Sequence, residues 1–142
     1  MSGTAVEIVD SLAFEFNKAF SEIRHDILAQ GGGIRVENGA ILRIKNSSLE
    51  SNSANVGGAI SVFDASLETS EVNFDLNTAE RGSSGGGVGG AVAIEVSPDK
   101  DVTTLDRSGP LASAIFQAFK CTFSRNLAPK RGGSFASTCN PL

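Results

Sequence analysis

The chain contains no Trp and no Tyr, and its 142 residues include only one His, one Met, two Cys and four Pro. Most of these shortages remove a class of explanation. Two cysteines, Cys121 and Cys139, make neither a disulfide framework nor a zinc site, which needs Cys/His pairs at short spacing. They read as unpaired thiols. The lone histidine, His25, has Asp26 beside it but no second histidine and no Gly-x-Ser-x-Gly elbow anywhere, so general-base and triad chemistry lack partners. No run approaches the ~18 apolar residues of a membrane span. The N-terminus has no basic n-region and no compact apolar h-region, so no secretory signal is expected at Met1. Twelve Lys+Arg against 16 Asp+Glu leave a net charge of −4. That balance excludes duplex nucleic acid as a main partner, because phosphate binding needs clustered cations.

What the chain does have is glycine, 16 of them, mostly in doublets and triplets that point to repeated tight turns. Its length fits one domain spanning 1–142, large enough to hold a core without metal or disulfide. Internal repeats decide the fold class. Residues 39–54 align with 64–79, so that Leu42 meets Leu67, Leu49 meets Phe74, Asn52 meets Asn77 and Ala54 meets Ala79. A copy at 114–128 places Phe116 under Leu67, Cys121 under Val72, Phe123 under Phe74 and Asn126 under Asn77. A weaker copy at 6–19 puts Phe14 and Asn17 in register. A glycine doublet and a short apolar alternation follow each copy: GGIRV at 32–36, GGAISV at 57–62, GGAVAIEV at 89–96 and GGSFAS at 132–137.

Alternation of period 2 means strands with one face buried. A repeat of about 25 residues is one turn of a solenoid. The expected fold is all-β, a right-handed parallel β-helix of about four irregular coils, since parallel crossovers are right-handed in nearly all cases. Leu49, Phe74 and Phe123 should form an internal column. The asparagines Asn17, Asn52, Asn77 and Asn126 should stack as a ladder. The doublets should turn corners where backbones approach closely. The stretch after each FxxN unit varies in length and should project from one side. Residues 19–30 read as a short amphipathic helix, and 97–110 as an exposed loop.

These motifs resemble a known family. GGAI at 57–60 and GGAV at 89–92, alternating with FDLN at 74–77 and FSRN at 123–126, look like the GGA[I/L/V] and FxxN repeats of chlamydial polymorphic outer membrane proteins. LESN (49–52) and FEFN (14–17) fill the other FxxN slots, while GGGI (31–34) and GGSF (132–135) stray from GGA. The resemblance marks Phe14, Asn17, Leu49, Asn52, Gly57, Gly58, Phe74, Asn77, Gly89, Gly90, Phe123, Asn126, Gly132 and Gly133 as structural repeat positions. It implies a β-helical surface segment used in adhesion or as a shaft, at the cell surface or outside the cell.

Several motifs invite chemistry and lack its context. Gly85–Gly90 satisfies G-x-G-x-x-G but leads into a strand, so no helix N-terminus awaits a pyrophosphate. Arg43-Ile44-Lys45 matches the RIK element of β-helical polygalacturonases, whose paired aspartates and Gly-His-Gly are missing; it reads as a solvated strand face. Asp64 and Asp75 lie in separate turns, and Asp99, Asp101 and Asp106 cluster only in the loop, whose oxygen ligands suit at most a weak calcium site. Asn46-Ser47-Ser48 is a glycosylation sequon, meaningful only in a secretory pathway. The expected function is a non-enzymatic repeat module for adhesion or scaffolding, with no cofactor. The alternatives are a docking segment of a larger complex and an inactive fragment of a carbohydrate-active β-helix. A segment of a longer protein is expected, with further coils or a partner protein covering the C-terminal end, which carries no charge to protect it.

Overall fold

Short alternating segments become strands of two to five residues in a computed structural model that describes residues 6–19, 29–82, 85–96 and 116–138. The first repeat holds β1 (Val6–Asp10) and β2 (Ala13–Glu15). The second holds β3 (Ile34–Glu37), β4 (Ile41–Lys45), β5 (Ser48–Glu50) and β6 (Ser53–Ala54). The third holds β7 (Ile60–Phe63), β8 (Ser66–Ser70), β9 (Asn73–Asp75) and β10 (Thr78–Ala79), followed by β11 (Arg81–Gly82) and β12 (Gly85–Gly86). The fourth holds β13 (Val92–Glu95), β14 (Phe116–Phe119) and β15 (Thr122–Ser124), and β16 (Phe135–Thr138) opens the next.

Each repeat feeds one strand to each available sheet, and all pairings between repeats are parallel. The sheets run β1-β4-β8-β14, β2-β5-β9-β15 and β3-β7-β13-β16. The fold is therefore all-β, with three four-stranded parallel sheets and a two-stranded one, β6-β10, built from successive repeats. Residues aligned in the sequence pair in the structure: Leu42 with Leu67, Leu67 with Phe116, Leu49 with Phe74 and Phe74 with Phe123. Inward side chains such as Ile44, Leu49, Ile60, Val62, Leu67, Phe74 and Val92 form one core. That alternation pins the register, because a slip of one residue would turn the apolar set out to water.

Among the described residues there is no helix. Most of the helix expected over 19–30 lies outside them. Its last residue, Gln30, instead makes a parallel bridge to Val56, because the stretch before the glycine corner is drawn into the stacking of the repeats. The loop expected over 97–110, with Asp99, Asp101 and Asp106, also lies outside the described residues, as do His25 and Cys139. The long stretch after FDLN in the third repeat is a hairpin, in which β11 and β12 pair antiparallel.

Between sheets the chain turns on single residues with positive φ, and these residues stack too. Ser11, Asn46, Glu71 and Lys120 (φ 55°, 46°, 56° and 50°) form one corner; Phe16, Ser51, Leu76 and Arg125 (55°, 56°, 55° and 50°) form the next. A non-glycine residue in this region costs about 1–2 kcal/mol. The cost is offset because the corner N–H continues the ladder: Asn46 donates to the Ser70 carbonyl at 3.0 Å, Glu71 to Phe119 at 2.9 Å and Ser51 to Asp75 at 3.0 Å. The side chains share no type, so sequence comparison does not reveal these corners.

Candidate functional site

The FxxN residues form two internal columns. Phe14 pairs with Leu49, Leu49 with Phe74 and Phe74 with Phe123. The Phe74 and Phe123 rings stack with centroids 4.7 Å apart and planes 4° from parallel. Leu49 and Phe74 are fully buried, whereas Phe14 and Phe123, on the outer repeats, are only partly so. The asparagines make a continuous ladder although their steps are 35, 25 and 49 residues. Each Nδ2 donates to the next Oδ1: Asn17 to Asn52 at 2.9 Å, Asn52 to Asn77 at 3.0 Å and Asn77 to Asn126 at 3.0 Å. Each backbone N–H in that series donates to the same oxygen. The remaining Nδ2 hydrogens reach the carbonyls of Phe14, Leu49 and Phe74 from Asn52, Asn77 and Asn126. Asn52 and Asn77, fully buried, thereby use donors and acceptors inside the stack, as burial of an amide requires.

The two glycines of a doublet do different jobs. Gly57 has φ 64°, and a Cβ there would collide with the Ile60 carbonyl. Gly58 has an ordinary φ, but its Cβ would collide with the Gly90 carbonyl of the next repeat. Gly89 and Gly90 repeat the pattern, with Gly90 against Gly133 and Gly132 at φ 58°. The register corrects one sequence assignment. Ile34 pairs with Ile60, so the doublet matching Gly57-Gly58 is Gly31-Gly32, not Gly32-Gly33; Gly33 takes the slot of buried Ala59.

The outward face of the β4-β8-β14 sheet carries the most varied chemistry. Pairing places Arg43 beside Glu68 and Glu68 beside Gln117, and Lys45 beside Ser70 and Ser70 beside Phe119. Arg43 clasps Glu68 with two bonds, Nε to Oε2 at 2.6 Å and Nη2 to Oε1 at 3.1 Å. That hydrogen bond, and the carboxylate's charge, hold the Arg43 pKa above its ordinary value. These residues line an open depression of about 330 Å³ with Phe119 at its edge. The Phe119 ring is 62% exposed, and the Lys120 ammonium lies 5.3 Å from its centroid. Arg43 and Lys45 do flank buried Ile44 on the outer side, as a strand face requires.

Other acidic groups sit elsewhere. Asp64 is at a positive-φ corner after β7 (φ 48°). Glu15, Glu50 and Asp75 share one row of the β2-β5-β9-β15 sheet. Asp75 is held there by Arg125 and by Ser124 Oγ at 2.8 Å, and the Arg125 bond is the main reason its pKa falls below the usual carboxylate range. Among the described residues no group of three His, Cys, Asp or Glu side chains could hold a metal ion. Gly85-Gly86 lie in β12, and Gly89-Gly90 form a corner before β13. Cys121 is half-buried rather than fully enclosed, because its repeat is the outer one; its Sγ lies 3.3 Å from Thr69 Oγ1. Asn46 is exposed at its corner and donates to Asp10.

No protein-family model, curated protein or solved structure matches the chain. Among the described residues no helix is long and apolar enough to cross a membrane, which leaves strand barrels unaddressed. Sequence reading treated Arg43 and Lys45 as solvated and missed Glu68, Gln117 and Phe119 as their neighbours. The repeat offset that aligns Leu42 with Leu67 also aligns Arg43 with Glu68, so the opposite charges were a usable signal.

Proposed function

We propose that the chain is a right-handed parallel β-helix serving as a non-enzymatic repeat module in adhesion or as a structural scaffold. The supporting observation is the asparagine ladder: the motif residues spend their polar groups on one another and on the neighbouring backbone, so they brace a shaft rather than face a substrate. Right-handedness follows from the preference of parallel crossovers. The resemblance of GGAI, GGAV, FDLN and FSRN to the repeats of polymorphic outer membrane proteins supports the adhesive role. Among the described residues Glu68 is the only carboxylate lining the outer depression, and Arg43 engages both its oxygens. Hydrolysis by acid and base uses two carboxylates about the scissile bond, which disfavours the carbohydrate-active alternative. Incubation with polygalacturonate and pectin, with and without calcium, should give no product. Product that disappears on Arg43→Ala or Asp64→Asn would overturn the proposal.

A second reading, a docking segment of a larger complex, draws on the last repeat. There Leu127 is 60% exposed and Phe135 40%, as suits an end covered by a protein partner or by further coils.

A further inference from the structure

We propose that the depression on the β4-β8-β14 face binds an acidic saccharide, a short uronic-acid oligomer. This deepens the adhesive reading above and rests on it. Three adjacent strands form the floor. Strands in a sheet are ~4.8 Å apart, so equivalent side chains follow one another at about the advance of a sugar ring along an oligosaccharide. Two rows result: Arg43, Glu68 and Gln117 in one, Lys45, Ser70 and Phe119 in the other.

The first row offers donors and acceptors side by side. A guanidinium has five N–H donors and a carboxylate about four lone-pair sites; the Arg43–Glu68 clasp uses two of each. The clasp also fixes both planes, so less side-chain freedom is lost on binding. Vicinal sugar hydroxyls, each donor and acceptor, complement such a pair, and the Gln117 amide extends it. In the second row the exposed Phe119 side chain offers apolar surface to a pyranose beside the Lys120 ammonium that lies over its ring, and Ser70 adds a hydroxyl. Among the lining residues, Arg43 and Lys45 against Glu68 leave one net positive charge on a chain of net −4. Asp10 on β1 pairs with Lys45 from outside the lining and offsets part of that charge, and a ligand carboxylate near Lys45 balances the rest.

Other ligands fit less well. A peptide strand adds to a sheet edge, where backbone groups are open; the depression lies on the sheet face, away from the outer edge of β14 that ends the sheet. A nucleic acid needs several clustered cations.

Titration calorimetry with hexagalacturonate and with its fully methyl-esterified form tests the proposal. The acid should bind saturably, and esterification, Lys45→Ala and Phe119→Ala should each weaken binding about tenfold or more. Both replaced side chains are exposed, so the melting temperature should stay unchanged. No saturable binding up to about 1 mM, equal binding of acid and ester, or undiminished binding by both variants would overturn it. Recovery of the ligand intact separates the two readings. Cleavage of a bound oligomer would refute the non-enzymatic reading and leave the binding site standing, while absent binding would leave the scaffold reading untouched.

Discussion

Phe74 and Asn77 belong to the same FxxN unit and stabilise it differently. Phe74 fills the interior between Leu49 and Phe123, so Phe74→Ala should cost about 3–5 kcal/mol through lost contacts and the cavity left behind. Asn77→Ala removes little volume. It removes one bond each from the Asn52 N–H and Nδ2, the Leu49 carbonyl and Asn126 Oδ1. Asn126 Oδ1 keeps the residue 77 N–H and Asn52 Nδ2 the Phe14 carbonyl, so the Asn52 N–H is the group left most exposed to loss. Each orphaned buried group costs about 1–3 kcal/mol, so this smaller truncation should destabilise comparably. Urea denaturation of both variants measures this, and an Asn77→Ala effect below about 0.5 kcal/mol would refute the structural role of the ladder. Glu95 gives a pH signature. Burial raises its pKa, partly opposed by Arg35. A carboxyl whose folded pKa is raised favours folding in its protonated form. That contribution is complete below the unfolded value of ~4.3 and is lost as pH rises through the folded value. Glu95→Gln should therefore raise the melting temperature at neutral pH, with the gain shrinking towards pH ~4; a constant offset across that range would rule the titration out.

At the scale of elements, the repeat absorbs length between sheets while the sheets keep register. The β11–β12 hairpin stands between Glu80 and Val88, where the second repeat passes directly from Asn55 to Val56. Deleting residues 81–87 should leave a cooperatively folded protein, since the bridges from Val56 and Arg131 to Val88 and the sheets on either side do not include the hairpin. The loss should stay below about 2 kcal/mol, reflecting the Gly87 bonds to Asn55, Lys130 and Arg131. A collapse of the thermal transition would show the hairpin to be part of the stack. The strands themselves were legible in the sequence because inward residues such as Leu42, Ile44, Leu67 and Phe74 follow a period of two. The corners were not. Ser51, Leu76 and Arg125 share a backbone conformation imposed by the repeats above and below, and nothing in their side chains announces it.

For the molecule as a whole, the described ends of the three sheets differ from the middle. β14, β15 and β16 each end their sheet among the described residues, and the large apolar residues Phe119, Leu127 and Phe135 in or near them are exposed. Terminal strands with apolar neighbours recruit other strands unless they are covered. The isolated 142-residue chain should therefore associate with rising concentration in size-exclusion chromatography with light scattering. A monomer at every concentration would count against an end that needs covering.

By itself the sequence determined the repeat, the inward column and the asparagine positions, because each repeats a residue type at equivalent places. Only the tertiary structure decided which doublet turns the corner, which residues adopt positive φ and which of the aligned outward side chains bond one another, as Arg43 does Glu68. The reason is physical. Inward positions are selected by an apolar environment that every repeat shares, so they repeat in composition. Corners are held by hydrogen bonds to the next repeat, which any non-proline residue can make. Outward groups meet across strands drawn from distant stretches, as Glu68 meets Gln117, and water places no common demand on their type.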